Sequence, residues 1–275
     1  MEGSIHADLH VHTTNSDGEL VLDEIPAAAA DAGISAVAIT DHDRLHPKLN
    51  VPRTRIDGID VIHGIELRVE VASLDERIDL LGYGVSESPA LCDELDRLQE
   101  NRKSRARRIV DLVESELGVE LDMGIDDGTG RPHIARAVDS HPQTALSYQE
   151  TFDELIADGR PCYVPREIPS FETGVELLSD TCGVVSLAHP YRYDDPEAVL
   201  ELASRLDAVE CYYPYSSPNI ASSSDLDVQA TERHDLLLTG GSDAHTTELG
   251  QAGISKSQYE RLLDAGGFEA RVTNA

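Results

Sequence analysis

Short apolar runs punctuate this chain, and their spacing predicts alternating strands and helices. Residues 5–12 read as a first strand, and 22–32, with the Ala27 to Ala30 run, as a first helix ended by Gly33. Residues 35–40 read as a second strand. Residues 59–71 and 77–85 are rich in β-forming side chains and are expected to pair around a turn near Asp75. Strand and helix segments then alternate through 172–182, 184–188, 196–205, 207–213, 223–233 and 235–240. That alternation predicts an α/β fold with a parallel sheet, closed into an irregular TIM-like barrel of about seven strands.

The middle of the chain breaks the pattern. From Ser88-Pro89, a suitable N-cap and first helical residue, helical spacing places Leu91, Leu95 and Leu98 on one face. Ile109, Leu112 and Val113 continue an apolar stripe. Further helices are expected over 132–138 and 148–158, the latter ended by Gly159. Residues 88–163 therefore read as a helical insertion over the mouth of a barrel made by 1–87 and 164–275.

Composition narrows the setting. A length of 275 residues suits one barrel domain with an insertion. The net charge is −30, and among the 22 basic residues only Lys48, Lys103 and Lys256 are lysines. Abundant acid with scarce lysine resembles proteins adapted to molar salt, where repulsion between surface charges is screened within about 3 Å. Such a field repels nucleic acid in dilute buffer, which argues against stable binding of duplex DNA. A phosphate ligand then needs bound cations or a local basic patch. Cys92, Cys162, Cys182 and Cys211 show no paired spacing and read as reduced thiols, mostly buried, of a cytoplasmic protein. No signal region precedes His6, and no run of about 18 apolar residues offers a membrane span.

Residues of metal-ligand type follow the apolar runs. They are Asp8-Leu-His10-Val-His12, Ser16-Asp17-Gly18, Thr40-Asp41-His42, Gly64-Ile65-Glu66, Ala188-His189-Pro190 and Gly241-Ser242-Asp243-Ala244-His245. A strand presents residues i and i+2 on one face, so His10 and His12 point into the same space. The ends of barrel strands are where such folds carry catalytic groups. Singly, each motif has an ordinary explanation. His10-x-His12 could be the polar face of a strand, Asp243-Ala-His245 a turn with a helix cap, His42 a surface residue and Glu66 a solvated one. Together, at successive strand ends, they point to a polynuclear metal site. Asp41 and Asp43 read as groups that orient ligand imidazoles. His6, His46, His63, His141 and His234 fit no motif and read as structural.

These stretches, with Arg131-Pro-His133-Ile-Ala-Arg136-Ala, Ala188-His-Pro-Tyr-Arg192 and Leu80-Leu-Gly-Tyr83, resemble the PHP family of metal-dependent phosphoesterases over nearly the whole chain. The stand-alone members that hydrolyse nucleoside 3′,5′-bisphosphates or trim short RNA from its 5′ end are the most similar. The resemblance implies two or three divalent ions. His10, His12, Glu66 and Asp243 would hold the first. Glu66 would bridge to a second, shared with His189, and Asp17, His42 and His245 would hold the third. Catalytic roles fall on Glu66, His189 and His245. Mn²⁺ is the expected ion, with Zn²⁺, Fe²⁺ or Mg²⁺ compatible with mixed imidazole and carboxylate donors. In one place the chain departs from the family: Asp79 stands where a histidine ligand of the second ion is usual, so that site either takes a carboxylate or is weakened.

The same resemblance makes Arg131 and His133 phosphate or nucleotide contacts, against the plainer reading of a salt-bridged helix start. Arg102, Lys103, Arg105, Arg107 and Arg108 form either a solvated helix face or a collar for a second phosphate or an RNA 5′ end. Arg192 could grip a phosphate bidentately. Tyr212, Tyr213 and Tyr215 could stack a base or simply pack. The expected activity is hydrolysis of phosphate esters of nucleotides by metal-activated hydroxide, on a small phosphorylated substrate or a short oligoribonucleotide. A small-metabolite phosphatase of the histidinol phosphate type and a non-catalytic PHP binding module are the alternatives.

Overall fold

The computed structural model describes residues 4–126, 128–215 and 231–268. Two compact units result, one from the segments up to Cys92 and from Pro169 onward, the other from Asp93–Ile168. The strands are β1 (Ala7–Val11), β2 (Ala36–Ile39), β3 (Arg53–Ile56), β4 (Ile59–Val71), β5 (Glu76–Tyr83), β6 (Val184–Leu187), β7 (Ala208–Tyr212) and β8 (Leu237–Gly240). The helices are α1 (Ile25–Asp31), α2 (Pro89–Leu117), α3 (Arg131–Ser140), α4 (Tyr148–Thr151), α5 (Phe171–Ser179), α6 (Pro196–Leu202) and α7 (Lys256–Gly266).

In the first unit the strands lie in the order β1-β2-β4-β5-β6-β7-β8, with β3 paired to β4 off that path. The segment after β8 returns to β1. Val11 and Ala244 bridge in parallel, His12 N donates to Ala244 O at 3.0 Å and Ala244 N to His10 O at 3.2 Å. Gly241 permits this approach, because a Cβ there would stand 2.3 Å from the His10 nitrogen. The path thus closes as a distorted TIM-like barrel.

The expected hairpin around Asp75 forms, and it is what distorts the otherwise parallel sheet. The antiparallel pairing of β5 with β6 departs from the parallel sheet expected. β5 is antiparallel to both β4 and β6, while β1–β2, β2–β4, β6–β7 and β7–β8 are parallel. Only residues 72–75 join β4 to β5, and a link that short allows a hairpin but no crossover. β2 shows how the layers form. Ala36 and Ala38 pack with Leu9 and Ile62, whereas Val37 and Ile39 on the other face pack with Ile25 and Ala29 of α1. α7 was not foreseen; Ser255 and Gln258 form its capping box, and Gly267 ends it with φ of 63°. Most of the helix expected over 223–233 lies outside the described residues.

In the second unit, Ala106, Ile109, Val110 and Val113 of α2 pack with Ile134, Ala135 and Val138 of α3 and with Leu155 and Ile156. Val110 supplies the stripe where Leu112 was expected, and Leu112 is 41% exposed. α4 runs into a π-helical turn over Phe152–Ile156. The four cysteines are free thiols, with Cys162 buried and the others half-buried. No helix among the described residues is long and apolar enough to cross a membrane.

His63 on β4 is buried, and neither ring nitrogen has a hydrogen-bond partner. Burial first, and then the nearby His46, push its pKa down to about 4. Between pH 6.5 and about 4 the unfolded chain therefore takes up a proton that the folded one refuses. Stability is unaffected above that window and falls as pH drops through it, by up to about 3 kcal/mol. His63→Leu is expected to flatten that dependence. Urea midpoints measured across pH 4 to 7 for both proteins check this, and parallel curves would show that His63 is not responsible.

Candidate metal centre

Three sets of side chains converge at the barrel's strand ends, each with ligand atoms lying within 4.8 Å of one another. His10, His12, Glu66 and Asp243 form one. His12, Asp17, His42 and His245 form another, and Glu66, Asp79 and His189 the third. All nine side chains proposed as ligands from the sequence fall in these sets, with His12 and Glu66 each in two. Glu66 stands where β4 leaves its parallel partner β2 and continues beside β5 alone, and its backbone bridges to His42. His42 Nδ1 lies 2.6 Å from Glu66 Oε2, His189 Nε2 lies 3.1 Å from Glu66 Oε1, and His12 Nε2 lies 3.0 Å from Asp243 Oδ1. The first set is deep: His10, His12 and Glu66 are at most 1% exposed. The second opens to solvent, with the side chains of Asp17 and His245 51% and 36% exposed.

The donor set fits divalent cations. His10 Nε2, both nitrogens of His12, Glu66 Oε2, His189 Nδ1 and Asp243 Oδ1 are buried without a hydrogen bond of ordinary geometry. Leaving buried polar atoms so is costly unless another partner, such as an ion, satisfies them. Electrostatics keeps the carboxylates ionised. Burial works against the charge on Glu66, but His42 and His10 hold its pKa well below the usual range. Asp243 is lowered despite burial by the His12 hydrogen bond and by His10, and Asp17 despite burial by His245 and His42. Burial also opposes the charge on His42, yet Glu66 lifts it to about 9. His12 drops to about 4 through burial and the neighbouring His42. Ionised carboxylates beside imidazoles that can shed protons are what a metal ion requires.

Several groups support the ligands, and the sequence assigns no role to two of them, Glu210 and Asp8. Glu210 on β7 is fully buried; its Oε1 meets His10 Nδ1 at 3.0 Å and its Oε2 accepts from His189 N at 2.8 Å. It thereby fixes which His10 nitrogen faces the cluster. A lone acid inside the apolar run Ala208-Val209-Glu210-Cys211 was the available signal. Asp8 accepts from Ser242 N at 2.9 Å and Gly250 N at 2.8 Å, tying β1 to the Asp243 loop. Asp41 accepts from Thr13 N at 2.7 Å and Ser16 Oγ at 2.7 Å, so it holds the loop that carries Asp17. Asp43 accepts from Arg68 N at 3.2 Å. These bonds differ from the imidazole-orienting role expected of both aspartates. His189 and Asp243 sit at φ of 26° and 51°, a sparsely populated backbone region that tends to gather at functional sites. Glu210→Gln is expected to weaken Mn²⁺ affinity by about 10- to 100-fold with the fold intact. Titration calorimetry on metal-stripped protein checks this, and wild-type affinity would remove Glu210 from the site.

The remaining candidates are placed as follows. Arg192 Nη1 lies 2.9 Å from Asp243 Oδ2 and donates to Tyr213 Oη at 3.1 Å, while Tyr213 donates to the same Asp243 oxygen at 2.8 Å. Arg68 Nε and Nη2 reach Asp79 Oδ1 and Oδ2 at 2.8 and 2.5 Å. In the second unit, Arg131 donates to Ile156 O at 3.4 Å, and His133 Nδ1 accepts from Gly130 N at 3.2 Å, which caps α3. Arg105 donates to Val164 O at 2.6 Å. Burial and then the charges of Arg131, Arg166 and Arg102 lower its pKa to about 10.

Known proteins place this arrangement. The chain is 28% identical over 249 residues to a phosphoribosyl 1,2-cyclic phosphate 1,2-diphosphodiesterase of Eggerthella lenta, covering 86% of this chain and 93% of that one. It is 28% identical over 258 residues to the 5′-3′ exoribonuclease Rnm of Salmonella typhimurium, covering 86% and 84%. With a 3′,5′-nucleoside bisphosphate phosphatase of Chromobacterium violaceum it shares 27% identity over 267 residues, covering 91% of both. Residues 8–158 match the PHP domain, a stretch that carries His10, His12, Asp17, His42, Glu66 and Asp79. That match spans more than half of the chain, which belongs to the PHP domain family.

Proposed function

We infer that this chain hydrolyses a phosphate ester attached to a ribose, with nucleoside 3′,5′-bisphosphates and the 5′ ends of short RNA as the leading substrates. It is a metal-dependent phosphoesterase, and the observation that carries this is the convergence of ionised carboxylates and unsatisfied buried imidazoles on shared points. Divalent ions held there would acidify water and neutralise charge on the phosphoryl oxygens. The protein supplies positions and charge. His10, His12, Glu66 and Asp243 would hold the deep ion, and Asp17, His42 and His245, with His12, the outer one. Glu66, His189 and His245 would face the reacting atoms. Glu210 locks His10, and Asp41 and Asp8 lock the two loops that bring in Asp17 and Asp243. Mn²⁺ suits the mixed oxygen and nitrogen donors.

The ribose preference rests on what the three relatives named above share, since each is named for a phosphoester of a ribose or ribonucleotide. Arg192, 50% exposed beside Asp243, is the proposed phosphate contact in the first unit. Tyr213 and Tyr215 rings pack at 4.6 Å and Tyr191 and Tyr215 at 5.4 Å, an aromatic surface of the kind that stacks a base. In the second unit Arg105, whose pKa the charges of Arg131 and Arg102 help to lower, is proposed to favour a multivalent anion together with those two arginines and with His133, two residues on from Arg131. The acidic, lysine-poor composition fits a cytoplasm of molar salt.

A panel assayed in molar salt with Mn²⁺ tests the reading. We expect a nucleoside 3′,5′-bisphosphate and a 5′-phosphorylated trinucleotide to exceed histidinol phosphate by at least about 100-fold in kcat/KM, about 3 kcal/mol of barrier. The reverse order would replace the substrate class. No phosphate release from any of them would favour a binding module.

A further inference from the structure

One of the two guanidinium groups at the cluster, that of Arg68, holds a carboxylate in two prongs. Arg68 lies two residues beyond Glu66 on β4, hence on the same face, and stands opposite Asp79 in the register with β5. Its two nitrogens take both oxygens of Asp79, whose side chain is 2% exposed, while the Arg68 side chain remains 41% exposed. His189 Nε2 approaches the same carboxylate at 3.7 Å. The three ligand sets therefore differ in kind. In the sets built on Asp243 and Asp17 the carboxylates keep at least one oxygen facing imidazoles, which can lose a proton and turn from counter-ion into ligand. Arg192 takes only Asp243 Oδ2 and leaves Oδ1 toward His10 and His12. In the set Glu66, Asp79 and His189, one carboxylate has both oxygens taken by a guanidinium, which keeps its proton at any pH a protein survives. A divalent ion entering there would meet a fixed positive charge bonded to one of its three donors. Its other carboxylate, Glu66, is already shared with the deep set.

We propose that Arg68 takes the place of the ion at Glu66, Asp79 and His189, so that the chain binds two divalent ions and presents a guanidinium to the phosphate on that side. This rests on the metal-dependent reading above. Asp79 then anchors Arg68 and ligates no metal. The chain's departure from the family at Asp79 gains a physical reason: a carboxylate holds a guanidinium in two prongs, which a histidine cannot do.

Metal counting tests this without reference to turnover. Protein loaded with Mn²⁺, desalted and measured by elemental analysis is expected to carry two ions per chain. Arg68→Met, which frees Asp79, is expected to carry three, and Asp79→Asn in the presence of Arg68 is expected to keep two. Circular dichroism melts establish that each variant is folded. Three ions in the wild type, a loss of one ion in Asp79→Asn, or two ions in a folded Arg68→Met overturns the proposal. Should Arg68→Met not fold, the wild-type and Asp79→Asn counts decide it. Wild-type protein that retains no ion would instead overturn the metal-dependent reading beneath it.

Discussion

Chelation with EDTA followed by desalting is expected to lower phosphate release by at least about ten-thousandfold, about 5 kcal/mol of barrier, and added Mn²⁺ is expected to restore it. The reason lies in the charge balance of the cluster. Without ions, Glu66, Asp243 and Asp17 stay ionised only because His10, His42 and His245 stand beside them with raised proton affinity. A phosphate arriving at that cluster would meet carboxylates whose neighbouring cations are already paired to them, with no ion to acidify water. Malachite green assays with the metal content measured in parallel check this. Full turnover in protein shown to be metal-free would remove metal chemistry from the mechanism.

Glu66→Ala is expected to be the most damaging single substitution, with a loss of about a thousandfold in kcat, near 4 kcal/mol. Its oxygens meet His42, His189 and His10 at 2.6, 3.1 and 3.4 Å, and no other carboxylate stands in both the deep set and the set of His189. Removing it takes away a carboxylate ligand of the deep ion and the negative charge that His42, His189, His10 and His12 all face. Steady-state kinetics with excess Mn²⁺ checks the value, and a variant that keeps a tenth of wild-type kcat would show that Glu66 is peripheral.

The ligand motifs were legible because each follows a run of apolar residues, and such a run becomes a strand that aims what comes next. His12, His42, His189 and the Asp243 loop all follow β1, β2, β6 and β8 in this way. What escaped was set by tertiary register. Along β4, Glu66, Arg68 and Glu70 alternate with Leu67, Val69 and Val71, which reads as the wet face of a hairpin. Only the antiparallel register with β5 puts Asp79 against Arg68. Glu210 stands out as a lone acid in an apolar run, but its partners His10 and His189 meet it only once β7 takes its place beside β6 and β8. The direction of β5 followed from the hairpin around Asp75, but its antiparallel pairing with β6 did not, because the strand and helix rhythm after residue 172 gives no sign of it. The helix Lys256–Gly266 did have a readable start, Ser255-x-x-Gln258, two residues past a buried β-bridge at Ile254.

The seam that joins Val11 to Ala244 has a consequence for the birth of the protein. On the ribosome, His10, His12, Asp17, His42 and Glu66 emerge early, while Asp243 and His245 emerge only after the strands between them. Contacts so distant in sequence form late, because the intervening chain must first be ordered. An ion caught by the early residues alone would sit in an open half-cage and exchange freely with its surroundings. Choice among ions is therefore expected to rest with the finished barrel, when the seam shuts, and not with whichever ion the nascent chain meets first.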